Sequence, residues 1–461
     1  MSLAPPYRPE PGVHDEAVTT DGSLRPEAAA TIEAVLERGP SELAGAVRAG
    51  WEHAGVGFTV VGAENGFFVD PVPRVIGAAE WALLETALGQ RVRALNAFVD
   101  DVYGAREIVA AGAIPARVIE SARLLEPRAA GLRPPGGIWI GVAGLDVVRG
   151  ADGRLRVLED NTRTPSGMGY AIAARDVVSG ELGVGPAAAP RPLDDALGLL
   201  GGTLRAVSPA RAEPAAIVLT DGPGNAAFWE HRFIAGRLGL PLLTPDQLDA
   251  RSGRLRRRDG GGPVDVVYRR TDADVIDSPV GELLLEPLAA GTLGVVNGYG
   301  TGVADDKLVH AYVEDIVRFY LGEEPRIPSV RTFDLAEGDA LAEALERLDE
   351  LVVKPRHGSG GAGVVIGPHA APAAIAETRD AIRDHPERYV AQELVMLSTH
   401  PTVVDGRLEP RHVDLRPFVF LAEGGRASVL PGGLTRVALT PGTLVVNSSQ
   451  NGGAKDTWVL P

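Results

Sequence analysis

Two carboxylates and an amide bracket one turn, and that stretch constrains the chain more than any other. GLDVVRGADGRLRVLEDN carries two apolar runs, Leu145 to Val148 and Leu155 to Leu158, on either side of Asp152-Gly153, a favoured two-residue hairpin turn. A turn centred there pairs Ala151 with Arg154 and, counted outward, sets Asp146 opposite Glu159. Asn161 lies two residues further on, along the face of Glu159. Facing carboxylates repel across a ladder. With an amide oxygen beside them they form a set of hard donors of the kind Mg²⁺ shares with substrate phosphates. A solvated hairpin face whose charges bind nothing has the same pattern, and the hairpin alone does not separate the two.

At 461 residues the chain is too long for one hydrophobic core to keep growing, so two or three domains are expected. Its net charge of −16, from 61 acidic against 45 basic residues, argues against a nonspecific nucleic-acid binder or a binder of anionic membranes, while leaving room for a local basic site. The absence of cysteine removes disulfides, thiolate metal sites and a cysteine nucleophile. The start, MSLAPPYRPEPG, has no basic region leading into an apolar core, and no run of about 18 apolar residues occurs. The expected location is the cytoplasm.

Four stretches are expected. Residues 1–130 comprise a proline-rich extended arm to about residue 20, then a mostly helical region in which PEAAATIEAVLERG, PSELAGAVRAGWEHAG, AEWALLETALGQRVRALNAFVDDVYG and PARVIESARLL repeat apolar positions at helical spacing. Pro40 and Pro115 stand where helices begin. Asn65-Gly66 marks a short hairpin inside this region, and Trp51, Trp81 and Phe98 fall at core positions. Residues 131–212 hold the acidic hairpin. In 213–301, AAIVLT, the helix AAFWEHRFIAGRLG, LPLLT and VDVVYRR alternate as β-α-β units do, which predicts a parallel, Rossmann-like sheet. Residues 302–461 open on the helix KLVHAYVEDIVRFYLG and continue as mostly antiparallel strands, among them LVVKP, YVAQELV and RHVDLRPFVFL. The fold class is mixed α/β (α+β).

GSGGAG, Gly358 to Gly363, matches a dinucleotide-binding pattern in its letters only. It follows Lys354 and Pro355 in an apolar strand and leads into Val364-Val365-Ile366, another strand, so no helix N-terminus awaits a pyrophosphate. No Gly-Lys-Ser/Thr closes it as a Walker loop. The arrangement suits a flap whose amides close over phosphates while the lysine supplies charge. A second match, Gly222, Gly224 and Ala227, does lie between a strand and a helix, as a nicotinamide site would. There Pro223 removes a backbone donor, and Asp246 is as well placed to cap a helix as to hold a ribose. A tight turn in a substrate layer is the stronger reading.

Lys307, Lys354 with its glycine loop, YVAQELV, DLRPF and an upstream D-x12-E-x-N are together the parts of an ATP-grasp site in an unusual order. The E-x-N motif ordinarily comes last; here Glu159 and Asn161 precede both lysines. Over about residues 130–461 the chain resembles the circularly permuted ATP-grasp family, related to glutathionylspermidine synthetase and eukaryotic-type glutathione synthetase, with GTGVADDK, YRR, GGLTRVAL and SSQNGGAKDTW as further wording of that branch. The resemblance implies a permuted ATP-grasp core with a helical N-terminal region and a Rossmann-like layer, and ATP and Mg²⁺ as cofactors. It implies Asp146, Glu159 and Asn161 as Mg²⁺ ligands and Lys307 and Lys354 on phosphates. Gly358, Ser359, Gly360, Gly361 and Gly363 become the lid, and Gln392, Glu393 and Val395 the hinge around adenine and ribose. Arg416 would face the γ-phosphate and an acyl phosphate; Arg436, after a strand in GGLTRV, would contact phosphate or substrate. Arg416, Lys354 and Arg436 are thus the candidate catalytic residues. The implied chemistry joins a carboxylate to an amine through an acyl phosphate, which calls for positioning and charge neutralisation. Two departures stand out. Gly144 occupies the place of an arginine that glutathionylspermidine synthetase has two residues before the first metal Asp, with Arg163 as the nearest substitute. That enzyme's amidase domain, with its cysteine, is missing, and glutathione as a substrate is not supported.

Arg269 and Arg270 end VDVVYRR, where open α/β sheets bind ligands, and are expected to hold a substrate carboxylate. Asn297 reads as a turn near the nucleotide, and Gln450 and Lys455 in SSQNGGAKD as a substrate-binding loop. The expected partners are a small-molecule or peptide carboxylate and an amine, with no nucleic acid, no membrane, and a homodimer left open. The alternative functions are an ATP-dependent phosphotransferase that stops at a phosphorylated product, and a catalytically silent ATP-grasp-like binding or scaffold protein. The silent alternative is disfavoured because both carboxylates, the amide, both lysines and Arg416 are all present.

Overall fold

The computed structural model describes residues 7–57, 68–184, 189–193, 195–209, 213–357, 363–444, 446 and 452–461. The hairpin expected at Asn65-Gly66 lies outside them, as do Gly358, Ser359, Gly360, Gly361 and Gln450.

The largest sheet brings distant parts of the chain together. β1 (Val69–Ile76) pairs in parallel with Gly453–Val459, and the sheet continues through Leu434–Val437, Arg407–Arg416, β2 (Val142–Arg149), Phe418–Ala422 and Arg426–Val429. Two more strands attach to it: Thr399–Val404 to Arg407–Arg416, and β3 (Leu155–Asn161) to β2. β1, β2 and Gly453–Val459 are buried along their whole length. They nevertheless carry Asp70, Arg74 and Lys455, and buried charges persist only when paired. Arg74 donates to both oxygens of Glu16 at 2.6 Å, and Lys455 is paired with Asp70.

Glu16 belongs to the segment read as an extended arm, and the structure ties that arm down. Besides Arg74, Glu16 accepts from Ser398 and lies 3.2 Å from Arg149. Asp15 accepts from the amides of Ala17 and Val18, from Thr399 and from Tyr7. Proline composition suggested an arm; four acceptor bonds on one buried carboxylate make it a strap across the sheet.

The first three expected helices form, whereas PARVIESARLL is helical only over Ala116–Glu120 and KLVHAYVEDIVRFYLG is split into Lys307–His310 and Val313–Leu321. Pro26–Arg38 and Pro40–His53 both begin on proline at N1, where its missing N–H costs nothing. In Ala78–Val102, Trp81, Leu84, Leu88, Val92, Leu95, Phe98, Val99 and Val102 are buried at helical spacing, and this face packs on Phe418–Ala422 and Arg426–Val429. Each such side chain contributes about 1.5–3 kcal/mol by leaving water. Trp51 is buried as well.

The alternation after residue 213 gives a four-stranded parallel sheet in the order Gly294–Val296, Val266–Arg270, Ala216–Thr220, Leu242–Leu243. A separate antiparallel sheet is ordered Thr332–Asp334, Tyr389–Glu393, Leu351–Pro355, Val365–Ile366. Asn297 ties the parallel sheet to the large one, which corrects its reading as a turn beside a nucleotide. Its side chain is 1% exposed, accepts from the amides of Gly141 and Val142 at 2.7 and 2.8 Å, and donates to the carbonyls of Val142, Thr162 and Arg163. Asn297→Ala strands these backbone groups and is expected to cost about 3–5 kcal/mol. Denaturant unfolding measures it, and an unchanged midpoint would show that the clip carries no stability.

Candidate active site

The hairpin reaches its expected pairing by an unexpected route. Arg149 pairs with Leu155 and the Gly150 amide donates to the Arg154 carbonyl, so Ala151, Asp152 and Gly153 all belong to the turn. Gly153 takes φ +76°, a conformation glycine adopts without strain. Nearer the site the register shifts: Val147 pairs with Val157, but Asp146 pairs with Glu159, leaving Leu158 as a bulge. The longer turn and the bulge cancel. Asp146 therefore faces Glu159, and Asn161 faces Gly144.

β2 runs between Arg407–Arg416 and Phe418–Ala422, which sets Arg416 beside Asp146. Arg416 grips both Asp146 oxygens at 2.7 and 3.0 Å. Arg436, from the next strand, reaches Asp146 at 2.8 Å and Asp414 at 2.9 Å. The result is a row of alternating charge, Arg416, Asp146, Arg436, Asp414. Burial pushes the Asp146 carboxyl up, but the two arginines outweigh it and hold it at about 2. Asp414 has less cationic support, and burial pushes its carboxyl up against the pull of Arg436.

Across a cleft of about 340 Å³ stands the antiparallel sheet. Its buried Lys354 donates to Gln392 at 2.6 Å and lies 3.7 Å from Glu159. Burial pushes the Lys354 ammonium down; Glu159 opposes this and Lys307 adds to it. Lys307 also lines the cleft, and Val352, Ile366, Leu394 and Leu397 supply an apolar wall. The size and the mix of apolar wall with few convergent polar groups suit a small-molecule site.

The donor set fits a magnesium ion that arrives with phosphates. Among the described residues no three His, Cys, Asp or Glu side chains gather to hold an ion by themselves. Three arginine N–H groups occupy the two Asp146 oxygens, which leaves a lone pair from the roughly four a carboxylate offers. Glu159 and Asn161 line the same cleft and can add a carboxylate oxygen and an amide oxygen to the set. Mg²⁺ typically takes one or two carboxylates and completes its shell with substrate phosphates and water.

Other expected site residues sort by position. Val395 and Glu393 line the cleft, though the Glu393 carboxylate is held by Arg347 at 3.0 Å through both oxygens. Gly363 is at φ +72°, close to Pro355. Arg163 lines the cleft between Asp305 and Asp274. It cannot be replaced by an arginine at position 144, because a Cβ there would lie 2.7 Å from Pro165 and 3.4 Å from Arg416.

Three expectations are corrected. Arg269 is 1% exposed and donates to the Ala273 carbonyl and Asp274, with its guanidinium over the Tyr299 ring. Arg270 is 3% exposed and binds Glu230 and the Pro165 carbonyl. Neither guanidinium is presented to a substrate carboxylate. Lys455 is not on a loop: it lies within Gly453–Val459, fully buried, bonded to Asp70 and the Pro401 carbonyl.

Sequence reading missed the buried ion pairs behind the cleft. Asp160, on the opposite face of β3 from Glu159, accepts from both arms of Arg91 and contacts His310. Asp306 caps the helix Lys307–His310 and takes both arms of Arg356, two residues after Lys354. The Asp305-Asp306 pair before Lys307 was the available signal.

Two sheets facing each other over a cleft, one bearing an acidic hairpin and the other a buried lysine before a glycine loop, define an ATP-grasp architecture. The chain belongs to the circularly permuted ATP-grasp type 2 family, which matches residues 73–438. The match begins well before residue 130, because β1 and the long helix after it are part of the same body. A Frankia alni protein named "Putative glutamate--cysteine ligase 2-3" is 43% identical over 471 aligned residues, covering 98% of this chain and 54% of that protein. A Frankia casuarinae protein of similar name, 2-2, is also 43% identical with the same coverage, so the chain spans about half the length of these relatives. An uncharacterised Synechocystis protein is 40% identical, with 98% of each chain covered. Among solved structures, a glutathione synthetase-like effector from Globodera pallida superposes with a TM-score of 0.60 over 91% of this chain and 98% of its own, at 14% identity, a likeness of fold. Among the described residues no helix is long and apolar enough to cross a membrane.

Proposed function

We propose that the chain is an ATP- and Mg²⁺-dependent carboxylate–amine ligase of the peptide-bond-forming type, working through an acyl phosphate. One observation carries the reading: the acidic hairpin, both lysines, Arg416 and Arg436 converge on a single cleft although more than 250 residues separate the hairpin from Arg416. Family membership and the ligase names of the Frankia relatives support it.

In this reading the apolar wall takes adenine, and Lys307 and Lys354 neutralise the polyphosphate, with Gln392 fixing the direction of the Lys354 ammonium. Asp146, Glu159 and Asn161 hold Mg²⁺, which when bound withdraws charge from the phosphate oxygens and aligns them. A substrate carboxylate oxygen attacks the γ-phosphorus, the bond to the β-phosphate oxygen breaks, and ADP leaves. An amine then attacks the acyl carbon, inorganic phosphate departs, and the amine loses a proton to give the amide. Arg416 and Arg436 stabilise the negative charge that moves onto the transferred group. Asp146 keeps both arginines in place before substrate arrives, so little reorganisation is needed at the moment of reaction.

The test is incubation with ATP, Mg²⁺ and pooled amino acids and short peptides, glutamate and cysteine included, following ADP and phosphate release and new amides by mass spectrometry. The expected result is substrate-dependent ADP release with one amide formed per ADP. A phosphorylated product without amide indicates the phosphotransferase, and nucleotide binding without turnover across the panel indicates a silent scaffold. Lys354→Met is expected to weaken Mg·ATP binding by about 10–100-fold, the loss of one charge-assisted bond. Unchanged affinity would remove Lys354 from the phosphate site.

A further inference from the structure

One buried imidazole nitrogen beside the cleft has no partner. His310 ends the short helix Lys307–His310, one turn from Lys307, and is 4% exposed. Its Nδ1 lies 2.8 Å from the Asp160 carboxylate. Arg91 is 3.2 Å from the same nitrogen but directs its fork at Asp160, at 2.6 and 2.7 Å. The shorter contact to an anion assigns Nδ1 as a donor to Asp160. Nε2 makes no hydrogen bond, and a buried polar atom left unpaired calls for an explanation. His310 lines a recess of about 20 Å³ together with Glu159, Lys307, Lys354 and Gln392, all but His310 shared with the main cleft. That volume holds one oxygen-sized atom, since a water needs roughly 10–15 Å³.

We propose that His310 is a further nucleotide-binding residue: its Nε2–H donates to a non-bridging oxygen of the β- or γ-phosphate, between the two lysines. The proposal rests on the reading of the cleft as an ATP site. Between Asp160 and a phosphate oxygen each ring nitrogen faces one anionic oxygen, and a contact with a charged acceptor is stronger than a neutral one. Asp160 and Arg91 are positioning residues, holding the ring by the nitrogen that does not meet the ligand, as carboxylates behind functional histidines do. This also ties Glu159 and Lys307 to one support, because Asp160 is Glu159's neighbour and His310 shares the helix of Lys307.

Two substitutions on the full chain separate this role from a structural one. His310→Asn keeps a donor near Nδ1 and loses Nε2; His310→Gln keeps a donor near Nε2 and loses the bond to Asp160. Calorimetric titration with Mg·ATP is expected to show about 10–100-fold weaker binding for His310→Asn and near wild-type binding for His310→Gln. AMP, which has no β- or γ-phosphate, is expected to bind all three proteins alike. The reverse order, or equal losses for Mg·ATP and AMP, overturns the proposal. A measurement independent of folding of the variants is the ¹⁵N resonance of His310 Nε2 in the unmodified protein. It is expected to shift with Mg·ATP and not with AMP, and no shift overturns the proposal. If the unmodified protein fails to bind Mg·ATP, the reading of the cleft fails first; if it binds and His310→Asn binds equally, only the role of His310 is lost.

Discussion

Glu159→Gln is expected to lower Mg·ATP-dependent turnover by about 10²–10³-fold, the scale on which losing one preorganised electrostatic contact acts, while leaving the unfolding midpoint nearly unchanged. Glu159 is a cleaner probe of the metal set than Asp146. It faces the cleft and approaches Lys354 at 3.7 Å. Asp146 anchors Arg416 and Arg436 through three N–H contacts. Asp146→Asn therefore disturbs two cations as well as any metal, and its loss of activity has two causes. With Glu159→Gln the amide keeps the volume and one acceptor oxygen but loses the charge Mg²⁺ needs. Turnover is followed as ADP release at saturating substrate and increasing Mg²⁺. Turnover restored by high Mg²⁺ would mean that Glu159 contributes affinity alone; turnover unchanged at all Mg²⁺ concentrations would sink the metal assignment.

Much of this cleft was legible because its residues lie in short local patterns. The hairpin could be counted from its turn, and the strand before Gly358 identified by its apolar run and lysine. The count succeeded through compensation, however. A turn one residue longer than Asp152-Gly153 predicts would have put Glu159 out of register, and the bulge at Leu158 restored it. Neither feature has a local signature here, since Leu158 looks like any apolar strand residue. The ion pairs behind the site were illegible for a different reason. Arg91 and Asp160 are 69 positions apart, and Arg74 and Glu16 58 apart. Sequence alone does not show that a charged residue faces inward until its partner is known. Arg269, Arg270 and Lys455 failed on the same ground: each sits where ligands are often met, and each is consumed by an internal partner.

Lys455→Met illustrates the cost of that misreading and is expected to destabilise the protein by about 3–5 kcal/mol, the usual penalty for leaving one member of a buried pair behind. Lys455 and Asp70 are both 0% exposed. Burial pushes the Asp70 carboxyl up and the Lys455 ammonium down, and each partner opposes the shift of the other. Asp70 also accepts from the Val72 and Val403 amides at 3.0 and 2.7 Å, so it holds the bulged strand β1 against Thr399–Val404. Without the lysine this carboxylate must either stay charged and unpaired or take up a proton, and both options favour the unfolded chain. The double substitution Lys455→Met with Asp70→Asn is expected to recover only part of the loss, because the amide removes the uncompensated charge but keeps an acceptor for one of the two backbone donors, which sit on different carboxylate oxygens. A residue on an exposed substrate loop behaves otherwise: its replacement changes stability by no more than about 0.5 kcal/mol and acts on substrate affinity. Denaturant midpoints of the single and double variants, with Mg·ATP affinity measured beside them, decide between the two. A single variant as stable as the unmodified protein would return Lys455 to the surface.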